Sequence, residues 1–310
     1  MNKGILINFP TNIGDVILSL PLLDRIRSLY PDRPITAIVS SRTREFLEAH
    51  TFIDEVIVFD KHWPGKTKLQ FAFRLRNKFD IVVDLKNSLL PFVIAPRWRT
   101  RFIRFFKPTQ HITHRYLSLI SKLGLPAATV RGDVRIAAEK KARWDGLNLS
   151  GAVGVGCSSQ FYLKQYPYEN LKQVIERLHG QYPVVILGEE KERGFYRDIL
   201  GLPGVRDLVG KTTLTDVFYI LKNFCRVMVA VDSSLMHMAG YLNVPVIGLF
   251  GPTAPGRSYP LSEKSVILQN THIMCVPCDG TLCEHENICM NIDPETVIGT
   301  VRGIIDAEGA

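Results

Sequence analysis

The sequence contains no run of 18 or more apolar residues, which excludes a membrane-spanning helix. Its N-terminus, MNKGILINFPTNIGD, carries only a short apolar stretch and no small-residue cleavage site follows. No signal peptide is therefore expected, and the protein is expected in the cytoplasm. There is no G-x-G-x-x-G, so the dinucleotide fingerprint is absent. No short-period repeat and no low-complexity segment appears, which removes solenoids and tails. Cysteine is absent before Cys157. Cys157 and Cys225 lie in apolar surroundings and read as small buried hydrophobes. The other four crowd together as Cys275, Cys278, Cys283 and Cys289, spaced C-x2-C-x4-C-x5-C.

What is present is the composition of a globular protein. Of 310 residues, 46% are hydrophobic and 22% charged, too apolar for global disorder. The length suits two domains. The net charge of +8 is unevenly spread. Residues 1–145 hold 25 basic and 13 acidic residues, a balance of +12, and residues 146–310 come to −4. A cationic half points to a polyanionic partner: a phosphorylated substrate, an anionic membrane surface or nucleic acid. A merely solvated surface is the plainer alternative.

Apolar runs and helical periodicities alternate along the chain. Strands are expected at 4–9, 35–39, 56–59 and 80–85, with helices at 14–30, 43–49 and 68–78 between and around them. The pattern restarts after a polar linker at 140–150. Strands are expected at 152–157, 184–187, 227–231 and 245–250, and helices at 168–179, 189–200, 213–224, 233–242 and 294–305. Such alternation predicts two α/β doubly wound, Rossmann-like domains, 1–145 and 150–310. The last helix, about 294–307, is a candidate to pack back on the first. Ligands in this architecture bind where loops leave the carboxyl ends of the strands.

Those loops carry the chemistry. Asp15 follows Gly14 in the first turn after strand one, where it either caps the helix or stands ionised as a general base. Ser158, Ser159 and Lys164 follow the strand at 152–157, a set that can hold a phosphate or simply be polar surface. Glu190 follows the strand at 184–187; a carboxylate there suits a ribose diol or a helix first turn. Asp232, Ser233, Ser234, Leu235 and His237 open the helix after the strand at 227–231, a ready anion site. His237 alone suits a packed core histidine equally well. Thr253 follows Gly251-Pro252 after the next strand.

Taken together, Asn12-Ile13-Gly14-Asp15 running on to Leu20-Pro21-Leu22-Leu23, Asp232 to Ala239, and Pro245 to Thr253 resemble the signatures of glycosyltransferase family 9. These are the ADP-heptose:lipopolysaccharide heptosyltransferases and their relatives, and the resemblance covers almost the whole chain. The stretch from Cys275 to Met290, followed by Ile292-Asp293-Pro294-Glu295, is similar to a tail in many members.

The resemblance implies a GT-B fold, with two Rossmann-like domains facing across a cleft. It implies inverting, metal-independent transfer of heptose from ADP-L-glycero-D-manno-heptose to the lipopolysaccharide inner core. Asp15 would be the general base and Lys164, in Lys164-Gln165-Tyr166-Pro167, a phosphate-binding lysine. Ser158, Ser159, Glu190, Asp232, Ser233, Ser234, Leu235, His237 and Thr253 would take the nucleotide sugar. Gly14, Arg97, Arg99 and Arg101 would meet the acceptor. One departure stands out: many members have Gly where this chain has Ser234, which leaves the donor's identity open.

The implied partners are a nucleotide-sugar donor, an anionic glycolipid acceptor and the inner leaflet of the cytoplasmic membrane, with no nucleic acid. The run from Arg97 to Lys107 interleaves five cations with four aromatics, fit for a membrane interface or for a strand with a basic face. No cofactor is expected for catalysis. The four cysteines are compact enough for a structural zinc or iron–sulfur site, with free thiols and disulfides as alternatives. Either way they are expected to be structural. A different sugar or acceptor, or a non-enzymatic nucleotide-sugar binder, is the competing reading. A nucleic-acid binder is disfavoured because no reading module is recognisable.

Overall fold

The computed structural model describes residues 3–101 and 110–309. The chain divides into two compact units between Arg135 and Ile136. In the first, β1 (Gly4–Asn8), α1 (Ile13–Leu29), β2 (Ile35–Val39), α2 (Arg44–Ala49), β3 (Glu55–Val58), α3 (Gly65–Arg74), β4 (Phe79–Asp84), α4 (Leu90–Ile94), β5 (Trp98–Arg99) and α5 (Ile112–Leu119) follow in order. Their strands form one sheet of order β3-β2-β1-β4-β5. Every pairing is parallel. β1, β2 and β4 are buried along almost their whole length and are mostly apolar, as the inner strands of a parallel sheet require.

The second unit holds α6 (Ala138–Asp145), β6 (Ala152–Gly156), α7 (Tyr168–Leu178), β7 (Val184–Ile186), α8 (Arg193–Tyr196), β8 (Val205–Asp207), α9 (Leu214–Phe224), β9 (Cys225–Val231), α10 (Ser234–Tyr241), β10 (Val246–Phe250), β11 (Val266–Gln269) and α11 (Pro294–Gly309). Its sheet runs β11-β10-β9-β6-β7-β8, again all parallel. Strand order reverses at β6 and β9, so the loops after those two strands flank the switch point where such sheets bind ligands. Both units are Rossmann-like α/β domains.

Several elements differ from the sequence pattern. The helix expected at 189–200 is broken into two 3₁₀ turns around the four-residue α8. Arg197 takes φ +41°, outside the helical region, which interrupts the i to i+4 ladder. The edge strands β5, β8 and β11 have two to four residues, too short to print a period.

Helix α6, read as part of a linker, belongs to the second domain. Trp144 is buried there, and its indole N–H donates to Asp216 Oδ1 at 3.0 Å. The last helix also buries its apolar face in the second domain's core: Val297, Ile298, Val301 and Ile305 sit among the side chains of α7 and β9. Among the described residues, no helix is long and apolar enough to cross a membrane.

Candidate functional site

In the second domain, three loops from the carboxyl ends of β6, β9 and β10 converge on Asp232. β9 is buried along its last five residues and delivers Asp232 at its end, followed at once by the N-cap Ser233 of α10. The Asp232 side chain is only 7% exposed. Lys164 Nζ donates to its Oδ2 at 2.6 Å, and Thr253 Oγ1 donates to the same oxygen at 3.1 Å. Ser258 Oγ donates to Oδ1 at 3.0 Å, and His237 Nε2 stands 3.7 Å from it.

A carboxylate this buried would ordinarily resist ionisation, since desolvation disfavours the charged form. Burial does raise the Asp232 pKa, but the charges of His237 and Lys164 and the donated hydrogen bonds outweigh it, and the net direction is down. The site thus holds an ionised carboxylate with a lysine locked against it. A lone lysine would lose rotamer freedom on meeting a ligand; here that entropy is lost on folding.

Helix α10 adds the second element. The N–H groups of its first turn have no intrahelical acceptors, and its dipole favours an anion at that end. Ser233 carries a buried hydroxyl with no hydrogen-bond partner among the described residues. Buried polar atoms are normally satisfied, so an orphan hydroxyl at a helix N-terminus leaves a donor free for a ligand. Gly156, at the end of β6, lets this helix come close: a Cβ there would lie 2.6 Å from Leu235 Cδ1. The arrangement can bind a phosphate group: one ammonium, the Ser233 hydroxyl and a helix N-terminus.

Not every expected residue joins it. Ser158 is buried and its backbone N–H donates to the Tyr196 hydroxyl at 3.2 Å. Ser159 Oγ accepts from Phe161 N at 3.2 Å, a local turn bond. Glu190 is exposed and accepts from Arg193 Nε at 2.8 Å. Its neighbour Glu189 accepts from Gln160 Nε2 at 3.1 Å, on the loop carrying Ser158 and Ser159. Ser234 and Leu235 occupy the first turn of α10. Ser258 was not legible in sequence: it lies 26 residues from Asp232, beyond a 3₁₀ turn at Pro255–Arg257.

In the first domain, Asp15 is the third residue of α1, half-buried, and accepts from Asn12 Nδ2 at 3.3 Å. Burial raises its pKa, against the Asn12 hydrogen bond and the charge of Arg115. Tyr116 stands in the same environment: burial, then the charge of Asp15, raises its pKa. Arg115 and Tyr116 come from α5, which lies along α1. A carboxylate raised toward neutrality is a better proton acceptor than an ordinary one. Gly14 precedes Asp15 within α1. Arg97 and Arg99 lie at the edge strand β5, and Arg101 is exposed just beyond it. Arg97 Nε is 3.7 Å from Asp80, and Arg99 stacks 4.1 Å over the Phe92 ring. The rest of the basic run, residues 102–107, lies outside the described residues.

The four clustered cysteines do come together, around a cavity of about 10 Å³ that His285 also lines. Cys289 feels the others: burial first, then the charges of Cys283, Cys278 and Cys275, raise its thiol pKa. Yet among the described residues no three His, Cys, Asp or Glu side chains are placed to hold a metal ion, and all four thiols are free. Of the alternatives open for these cysteines, a structural zinc or iron–sulfur site is not supported by this geometry. Cys289 is drawn into the hydrophobic core beside Met290, and its thiol donates to Asn287 Oδ1 at 3.5 Å. Cys275 and Cys278 remain at the surface.

With this geometry in view, comparison with known proteins is informative. The chain is similar to the lipooligosaccharide heptosyltransferase 2 of Haemophilus influenzae, 26% identical over 307 residues that cover 86% of this chain and 88% of the relative. Its fold is similar to that of the E. coli ADP-heptose LPS heptosyltransferase II, with TM-score 0.79, 22% identity and 99% and 100% of the two chains covered. It is also similar to the E. coli heptosyltransferase WaaC with ADP, with TM-score 0.72, 18% identity and 97% and 99% coverage. These likenesses give the two Rossmann-like domains the GT-B fold. The model of glycosyltransferase family 9 (heptosyltransferase) matches residues 69–289, more than half of the sequence. The chain therefore belongs to glycosyltransferase family 9, and it is a glycosyltransferase.

Proposed function

We propose that the protein is an inverting, metal-independent heptosyltransferase that moves a heptose from ADP-L-glycero-D-manno-heptose to the lipopolysaccharide inner core. It works at the cytoplasmic face of the membrane that carries its acceptor. The observation that carries this reading is the Asp232 network at the start of α10, with Lys164 held at 2.6 Å and the Ser233 hydroxyl unpartnered among the described residues. The relatives' names supply the sugar and the acceptor, and the ADP of the WaaC structure supplies the nucleotide.

In this reading the second domain takes the donor. Lys164 and the N–H groups of α10 face the diphosphate, and the Ser233 hydroxyl donates to it. The first domain takes the acceptor. Asp15 accepts the proton of the acceptor hydroxyl as its oxygen forms a bond to the anomeric carbon. The bond from that carbon to the phosphate oxygen breaks, and ADP leaves with the electron pair from the opposite face, so the configuration inverts. The charge that develops on the leaving diphosphate meets groups already in position, which is where electrostatic preorganisation acts. Asp232 does not touch substrate; it keeps Lys164 aimed.

The test is isothermal titration with ADP, UDP and GDP in chelator-treated buffer. Binding of ADP alone, lost in Lys164→Ala, is the expected result. Preference for UDP or GDP would replace the donor while keeping sugar transfer. Failure to bind any nucleoside diphosphate would overturn the assignment of the Asp232 site.

A further inference from the structure

The sugar-transfer chemistry leaves the four clustered thiols without a role. Cys275, Cys278, Cys283 and Cys289 line one cavity of about 10 Å³ together with Leu163, Pro252 and His285. A space that small holds at most one water, so the thiols around it are near neighbours. They differ in access: Cys275 and Cys278 are exposed, Cys283 is half-buried and Cys289 is buried. Cys289 is also hemmed in from behind, since a Cβ at Gly251 would lie 3.1 Å from its sulfur. The outer pair is therefore the one a dissolved oxidant meets. Its C-x2-C spacing is that of two thiols which close on each other in redox motifs.

The same loop braces the Asp232 site. Asp279, the residue after Cys278, donates its N–H to the Pro252 carbonyl at 2.8 Å. Its Oδ2 accepts from Arg257 at 3.3 Å. Asn287 Nδ2 donates to the Tyr162 carbonyl at 3.5 Å, and Leu163 faces the thiols themselves. Each contact falls beside a donor to Asp232. Pro252 precedes Thr253, Arg257 precedes Ser258, and Leu163 precedes Lys164. Three loops that must converge on one carboxylate are thus held from outside by one cysteine-bearing segment.

We propose that Cys275 and Cys278 are a reversible oxidation site for a low-molecular-weight disulfide such as oxidised glutathione, and that closing their disulfide loosens the nucleotide-sugar site. The Cys275 thiolate attacks one sulfur of glutathione disulfide; a bond forms between them, the glutathione S–S bond breaks, and one glutathione thiolate leaves with the electron pair. The Cys278 thiolate then attacks the Cys275 sulfur, and the second glutathione thiolate leaves. The protein loses two electrons, glutathione disulfide gains them, and the two cysteine protons end on the two glutathione thiols. A disulfide holds its sulfurs about 2.05 Å apart, closer than free thiols approach. Closure pulls Cys278 toward Cys275 and carries Asp279 away from Pro252 and Arg257, so Thr253 and Ser258 lose their brace. An exposed disulfide is readily reduced again, which makes the change a switch. This inference rests on the reading of the Asp232 site as the nucleotide site.

The full-length protein is treated with dithiothreitol or with glutathione disulfide in chelator-treated buffer and then freed of small molecules. Intact mass and the ADP titration are read on each sample. Expected are a mass lower by two hydrogen atoms and an ADP Kd raised about fivefold, the effect of one lost hydrogen bond. Dithiothreitol should reverse both. Cys275→Ser and Cys278→Ser, at exposed positions, should each abolish both changes while binding ADP normally when reduced. Cys283→Ser should keep them. An unchanged mass overturns the oxidation site. A disulfide that leaves the Kd unmoved overturns the coupling. A response that survives Cys275→Ser and is lost in Cys283→Ser overturns the pairing. Mass reports the disulfide without nucleotide, so a reduced protein that binds no ADP ends the nucleotide reading and the coupling with it, while the oxidation site is still decided by mass.

Discussion

The two domains share a fold and treat their key carboxylates in opposite ways. Asp232 is nearly buried yet ionised, because Lys164, Thr253, Ser258 and His237 surround it. Asp15 is half-buried with one hydrogen bond from Asn12, and its pKa moves up. The same physics, desolvation against partner charge, is resolved by the number of partners. A carboxylate with many partners is a fixture that orients a cation. A carboxylate with few is free to take a proton. The comparison teaches that a Rossmann-like strand end becomes a binding site or a proton-transfer site according to how many donors its loops bring to one acid.

The sharpest way to break this contrast is to remove each acid's function in turn. Asp15→Asn should lower kcat by about 10²–10⁴-fold, the range for a lost general base, while the ADP Kd stays unchanged. Equal loss of ADP binding would place Asp15 in the nucleotide site and end the division of labour. Lys164→Ala should lower kcat/KM by about 10²–10³-fold, because a preorganised cation at the leaving group is lost, and here ADP binding should fall with it.

A smaller effect tests the cause assigned to the Asp15 shift. The base must be deprotonated, so the rate falls as pH drops through its raised pKa. Arg115 lowers that pKa. Arg115→Gln should therefore move the acid limb of the kcat/KM profile to higher pH, at unchanged rate on the alkaline side. An unmoved limb would assign the titration to another group. The smallest expected change is in Ser258→Ala. It removes one of the donors on Asp232 and should weaken ADP binding about fivefold, roughly 1 kcal/mol for one hydrogen bond. A loss as large as that of Lys164→Ala would mean that Ser258 itself meets the nucleotide.

Much of the molecule could be read before folding. β1, β2, β4, β6, β9 and β10 announced themselves as apolar runs, since a strand buried on both faces has no polar side to show. Asp15 and Asp232 were visible because each follows such a run at a helix start. Their partners were not. Arg115 and Tyr116 reach Asp15 from a helix about a hundred residues downstream, and Ser258 follows an unremarkable turn. Glu190 shows the converse: its place after β7 suggested a ribose ligand or a helix first turn, and the fold sets Arg193 beside it. The cysteine spacing suggested a metal cage, but spacing does not say that Cys289 will be drawn into the core.

By itself, then, the sequence determined the strand–helix alternation, the two Rossmann-like domains and the strand ends where chemistry sits. These follow from the periodicity of apolar side chains, which is a local property of the chain. Tertiary structure alone decided which donors gather on Asp232, how burial and Arg115 set the basicity of Asp15, and that Lys68 and Lys86 line one apolar cavity between α3 and α4. Those outcomes depend on distances between residues remote in sequence. Coulomb energy and desolvation respond to proximity in space, which spacing along the chain does not record.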